Sequence, residues 1–136
     1  MTERNYESRW WGYIYDQMMT QGLPELLDAH LRFYRSNLRD CTGAVLECGC
    51  GSGLIFLPLL EMGIDIYGFD ISEAMLKTLK SKAKVQGCGD AEERLSIQDL
   101  RSFHYGKTFD AIIIHANTFV MLTTQEAEIK ANKKIH

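Results

Sequence analysis

Three glycines at alternate positions, Gly49, Gly51 and Gly53, follow Glu47 in the stretch ECGCGSG. Removing every second side chain from a run of backbone carries an entropic penalty that an ordinary turn need not incur. Something must therefore approach that main chain closely. The apolar run Ala44-Val45-Leu46 precedes the glycines and Leu54-Ile55-Phe56-Leu57 follows them, which predicts a strand, a tight turn and a helix. Such a turn admits a ligand against the backbone, and the helix N-terminus offers unpaired N–H groups to an anion. Bulges and tight corners use glycine too, so the turn alone does not define a site. Asp70, in YGFDISEAML, adds a second element. A carboxylate at the end of the next strand can accept hydrogen bonds from both hydroxyls of a ribose. Its other reading is a cap for the helix that begins near Ser72.

Two cofactor classes use a strand, a glycine turn and a helix in this way. Dinucleotides prefer G-x-G-x-x-G, whose last glycine lets the helix pack on the strand. Counting from Gly49 places Leu54 at that position, and counting from Gly51 places Phe56 there. The dinucleotide pattern fails in both registers. The form present is acid-x-Gly-x-Gly-x-Gly, and together with GFDISEAML it resembles the class I S-adenosylmethionine-dependent methyltransferases. The resemblance runs from about Tyr6 to His136 and covers about the first half of that family's catalytic domain.

The resemblance implies S-adenosylmethionine as cofactor and S-adenosylhomocysteine as product. It lays the methionine moiety along Gly49, Cys50, Gly51 and Gly53, with Glu47 favouring the ammonium end. It assigns the ribose to Asp70, counts Ile71 among the cofactor contacts, and gives the adenine amino group to Asp99 with Leu100 bordering the ring. The end of the strand FDAIIIHA falls beneath the reactive end of the cofactor, which makes His115, Ala116 and Asn117 pocket candidates. Tyr15, in the pair Tyr15-Asp16, would close over the cofactor. Each of these has a plainer alternative. Asp99 can be a solvated loop aspartate, His115 a packing histidine rather than a general base, Asn117 a strand end, and Tyr15 part of a packing stripe. His30 and His104 show no partner pattern and read as structural.

A sulfonium methyl donor is already activated, so the protein chiefly aligns an acceptor and excludes water. No metal and no covalent nucleophile is then needed, and the chain has neither a nucleophile elbow nor a metal-ligand cluster. Two other functions compete with methyl transfer to a small molecule. One is a non-catalytic S-adenosylmethionine-binding or interaction module. The other is a nicotinamide-dependent oxidoreductase, which Leu54 and Phe56 disfavour.

The elements that must position these residues follow from hydrophobic spacing. Leu26, Leu27, Leu31, Tyr34 and Leu38 recur at helical intervals behind Pro24, predicting a helix at about 24–39. AVLEC, IDIYGFD, LSIQ and FDAIIIHA read as strands at 44–48, 64–70, 95–98 and 109–116. Helices are predicted at 53–62, bent by Pro58, and after Ser72 with Leu76, Leu79 and Ala83 on one face. GCGD at 87–90 reads as a loop. Strands separated by helical crossovers predict an α/β fold, a parallel sheet of about four strands with helices on both sides, and the resemblance implies the Rossmann-like order 3-2-1-4. The connection 100–108 is short for a crossover helix. FDAIIIHA reads as buried on both faces. Residues 1–42 form an N-terminal helical segment, 43–122 the core, and 123–136 the start of a further helix, all in one domain. Four strands are few for a doubly wound sheet. The chain thus reads as a truncated domain or a fragment, whose strand 109–116 would leave an apolar edge for a homodimer.

Composition sets the remaining bounds. With 136 residues there is one domain, and 46% hydrophobic and 24% charged residues are ordinary for a globular protein. A net charge of −3 gives no basic face for nucleic acid or an anionic membrane. The N-terminus MTERNYESRW has no apolar signal core, and no apolar run approaches a bilayer span. A cytoplasmic protein acting on a small-molecule acceptor is expected. Cys41, Cys48, Cys50 and Cys88 match no paired zinc spacing.

Overall fold

The computed structural model describes residues 24–114. Strand β1 (Val45–Cys48) lies at the centre of a parallel sheet, between β2 (Ile66–Asp70) and β4 (Ala111–Ile114). Strand β3 (Leu95–Ile97) pairs beyond β2, giving the order β3-β2-β1-β4. This is the expected Rossmann-like arrangement. The register sets Glu47 beside Gly68, Cys48 beside Phe69 and Ile114, and Asp70 beside Ile97. The strand ends that were expected to carry the site therefore form one rim.

Alternation along β1 separates two cores. Val45, with Ile66 and Ile113 of its neighbours, faces helices α1 (Pro24–Leu38), α2 (Phe56–Glu61) and α3 (Glu73–Val85). Those helices contribute Leu38, Phe56, Leu57, Leu59, Leu76, Leu79 and Ala83 to this cluster. The 3.6-residue spacing marked the buried face of α3, but on α1 only Leu38 is buried, Leu27, Leu31 and Tyr34 are half-buried against the cluster, and Leu26 is 45% exposed. Ser72 caps α3, its Oγ accepting from the Met75 N–H at 3.2 Å. Leu46, Cys48 and Phe69 point the other way and meet Leu100 and Phe103.

That second face departs from expectation. Among the described residues it is covered by the segment after β3 rather than by a helix. Phe103 stacks on Phe69 with ring centroids 4.9 Å apart, and Tyr105 meets Phe109 edge to face at 5.2 Å. Aromatic rings supply in a dozen residues the apolar area that a crossover helix would bring. The short 100–108 connection can therefore cover a sheet face without being helical.

Three local readings are also corrected. Helix α2 begins at Phe56, not at residue 53, and Pro58 is its third residue. At that position the missing N–H would have had no intrahelical partner, so the proline fits the first turn without breaking the helix. Residues Gly89–Arg94 form a 3-10 segment where a plain loop was expected after 87. Strand β4 is an edge among the described strands, and of its residues only Ile113 is fully buried. Tyr15, His115, Ala116 and Asn117 lie outside the described residues, as do the predicted segments 1–23 and 115–136.

Candidate functional site

The glycine turn leaves β1 and folds back over the end of β2. All three of its glycines have positive φ: 75° at Gly49, 55° at Gly51 and 89° at Gly53. L-residues rarely adopt that conformation. The N–H groups of Gly49 and Cys50 both donate to the Phe69 carbonyl at 2.9 Å, and that of Gly53 donates to Cys50 O at 3.1 Å. The Gly51 N–H donates to Asp70 Oδ2 at 2.9 Å. The turn is thereby tied to β2 by its own main chain.

Packing accounts for part of the glycine pattern. A Cβ on Gly53 would stand 2.7 Å from Leu79 Cγ of α3, and one on Gly51 would stand 3.2 Å from Met75 Cε. Gly68 was not singled out by sequence, yet it belongs to the same arrangement. A Cβ there would lie 3.0 Å from Cys50 Sγ and 3.1 Å from Phe56 Cδ2. The close approach that a dinucleotide fold makes with a helix glycine is made here by a strand glycine facing Phe56. A glycine inside a strand pattern is the signal that could have revealed it.

Asp70 closes the site from β2. Its Oδ1 accepts from the Ser72 N–H at 2.9 Å, as the helix-opening alternative predicted, while Oδ2 serves the glycine turn. Burial raises its pKa, and the N–H groups of Ser72, Gly51 and Ile71 pull the other way. Glu47 is 2% exposed, and among the described residues its Oε1 finds no hydrogen-bond partner. Burial above all, then the charge of Asp70, pushes the Glu47 carboxyl well above its usual range. An unpartnered buried carboxylate is expensive, and it is the kind of group a cationic ligand would satisfy. Glu47 also helps keep its neighbours protonated. The Cys48 thiol is pushed up to about 12 by burial and then by Glu47. The Cys50 thiol rises for the same reasons. Both are inert as nucleophiles.

The third strand end is set by a main-chain bond, Gln98 N–H to the Asp70 carbonyl at 3.2 Å. Asp99 follows on the rim and is engaged by Arg101, whose guanidinium holds the carboxyl below its usual range. Sequence reasoning did not mark Arg101; the short D-x-R spacing was its signal. Leu100 is buried among Leu46, Cys48, Phe69 and Phe103, whereas Ile71 stands 42% exposed at the rim. A groove of about 970 Å³ runs along α3, lined by Lys77, Lys80, Lys84 and Ile97, and shares Ile71 with the rim. Among the described residues no three His, Cys, Asp or Glu side chains gather as metal ligands, and no helix is long and apolar enough to cross a membrane.

Comparison with known proteins agrees with this layout. The domain family described as "Methyltransferase domain" matches residues 45–135. The YqeM protein of Bacillus subtilis is 27% identical over 124 residues, which are 90% of this chain and 47% of that protein. A carboxy-S-adenosyl-L-methionine synthase of Campylobacter jejuni is 32% identical over 87 residues, 55% of this chain and 37% of that one. Among solved structures, the glycopeptide N-methyltransferase MtfA complexed with S-adenosyl-L-homocysteine superposes with a TM-score of 0.70 at 18% identity, covering 78% of this chain and 45% of MtfA. This chain spans less than half the length of each of these proteins.

Proposed function

The chain belongs to the methyltransferase domain family, and from that premise we propose that its strand-end rim binds S-adenosylmethionine for methyl transfer to a small-molecule acceptor. One observation carries the reading. The hydrogen bond from the Gly51 N–H to Asp70 Oδ2 joins the glycine turn to the strand-end carboxylate in a single site. The residues fit the cofactor. The turn has positive-φ glycines in place of side chains, and the unpartnered Glu47 oxygen offers a negative partner to an ammonium group.

When bound, S-adenosylmethionine supplies a methyl group on a sulfonium, a donor that needs no further activation. The chain's own part is to hold that donor in place and keep water from it. Gly49, Cys50, Gly51 and Gly53 give a main-chain bed for the methionine moiety, and Glu47 fixes its ammonium end. Approach of that cation lowers the Glu47 pKa, so binding draws a proton off the carboxyl. Asp70 takes the ribose hydroxyls with the acceptor capacity its main-chain donors leave open, and Ile71 borders it. Asp99 and Leu100 face the adenine. Tyr15, His115 and Asn117 are assigned to the cover and the reactive end, His115 as the base where an acceptor arrives with its proton. The edge of β4, unpaired among the described residues, is assigned to pairing with a second copy of the chain.

Asp70→Ala tests the reading. It should weaken S-adenosylhomocysteine binding by about 1–3 kcal/mol, from the polar groups left unpaired. Unchanged affinity in a folded variant would remove Asp70 from the site. Transfer of labelled methyl into a metabolite extract separates this activity from a chain that binds the cofactor without methylating anything.

A further inference from the structure

The two carboxylates on the rim are in opposite states. Asp70 is held by main-chain N–H groups, with Ser72 donating to Oδ1 and Gly51 to Oδ2. Asp99 is instead clasped by one residue, which makes two contacts to each oxygen. The Arg101 main-chain N–H and Nε both donate to Oδ1 at 2.9 Å. Nε also reaches Oδ2 at 3.1 Å, and Nη2 donates to Oδ2 at 2.5 Å. A carboxylate has about four acceptor positions, and three Arg101 N–H groups, one of them shared between both oxygens, take up most of that capacity on Asp99. The clasp is local, between residues two apart. It occupies the group that the cofactor reading above gives to the adenine amino group.

We propose that Arg101 is an internal latch on the adenine end of the cofactor site: its guanidinium holds the Asp99 carboxylate until the exocyclic amino group of an adenine-bearing ligand displaces it. The latch rests on that cofactor reading and adds a residue that sets affinity and selectivity within it. Its size follows from exposure. The two side chains are 39% and 24% exposed, so the pair is partly solvated, and partly solvated pairs are modest. The latch tunes binding and does not block it. Arginine keeps its charge at any working pH, so ionic strength rather than pH releases it.

The test is calorimetric binding of S-adenosylhomocysteine to the full chain, its Arg101→Ala variant and its Arg101→Lys variant, at low and high salt, with thermal melts to confirm folding. Arg101→Ala should bind about two- to fivefold tighter at low salt, the range such ion pairs span. Arg101→Lys, which has no planar fork, should fall between the two. The difference should shrink as salt rises. S-inosylhomocysteine, with a carbonyl in place of the amino group, should gain nothing from Arg101→Ala. If the chain binds S-adenosylhomocysteine and folded Arg101→Ala binds it equally or more weakly, the latch is overturned and the cofactor reading stands. If no folded form binds it at all, both fall together.

Discussion

Glu47 is a buried acid whose desolvation opposes the fold at neutral pH. Its native pKa lies well above the 4.5 it would have in an unfolded chain. Between those values the native state binds more protons than the unfolded state, so stability falls as pH rises from about 4.5 through the native value. Asp70 acts in the same direction from about 3.8 upward. Asp99 acts oppositely: Arg101 depresses its pKa, and its stabilising contribution is lost as pH falls below about 3.8. Glu47→Gln should therefore flatten the fall of unfolding free energy between mildly acidic and neutral pH in urea titrations. The same variant should bind S-adenosylhomocysteine more weakly, because the ammonium loses a negative partner. An unchanged pH slope would show that Glu47 is not the titrating group. The acid and the glycines were legible in the sequence because their spacing is a motif. The protonation state of Glu47 was not, since it depends on burial and on the charge of Asp70, which only the fold brings beside it.

Two elements are joined by a contact that spacing could not announce. The Asp110 carboxylate accepts from the Gly43 N–H at 2.9 Å, and the Asp110 N–H donates to the Ala44 carbonyl at 2.7 Å. Together they lock the start of β4 against the entry to β1, and a Cβ on Gly43 would collide with the Asp110 carboxylate. Gly43→Ala and Asp110→Ala should each lower unfolding free energy by about 0.5–1.5 kcal/mol, the net worth of a hydrogen bond whose freed partner water can reach. The double variant should lose less than the sum, because both changes remove one interaction. Additive losses would contradict the lock. The strands and helices themselves were readable from their periods, and Pro58 from its type. What misled was assigning the proline to a helix interior, when the glycine turn consumes three more residues before α2 begins. The aromatic cover on the second sheet face was missed for a related reason. Phe103, Tyr105 and Phe109 have no helical period, because they fold onto Tyr67 and Phe69 as a loop.

At the scale of the whole molecule, the described residues present three strand ends and their acidic residues on one rim, with helices on one sheet face and an aromatic loop on the other. The crossovers made the sheet parallel, the order 3-2-1-4 came with the family resemblance, and the rim followed from that order. Neither required the residues outside 24–114. If the β4 edge pairs with a second copy, sedimentation should show a concentration-dependent dimer, and a monomer at every concentration would contradict that pairing. The donor site is a separate matter from the acceptor, and the account stands or falls on the donor. Its most direct test is calorimetry of the folded chain with S-adenosylhomocysteine and, in parallel, with NAD. The account predicts saturable binding of S-adenosylhomocysteine and none of NAD, since Phe56 and Leu54 stand where a dinucleotide site has glycine. A folded chain that binds NAD instead, or that binds no S-adenosylhomocysteine, would contradict it.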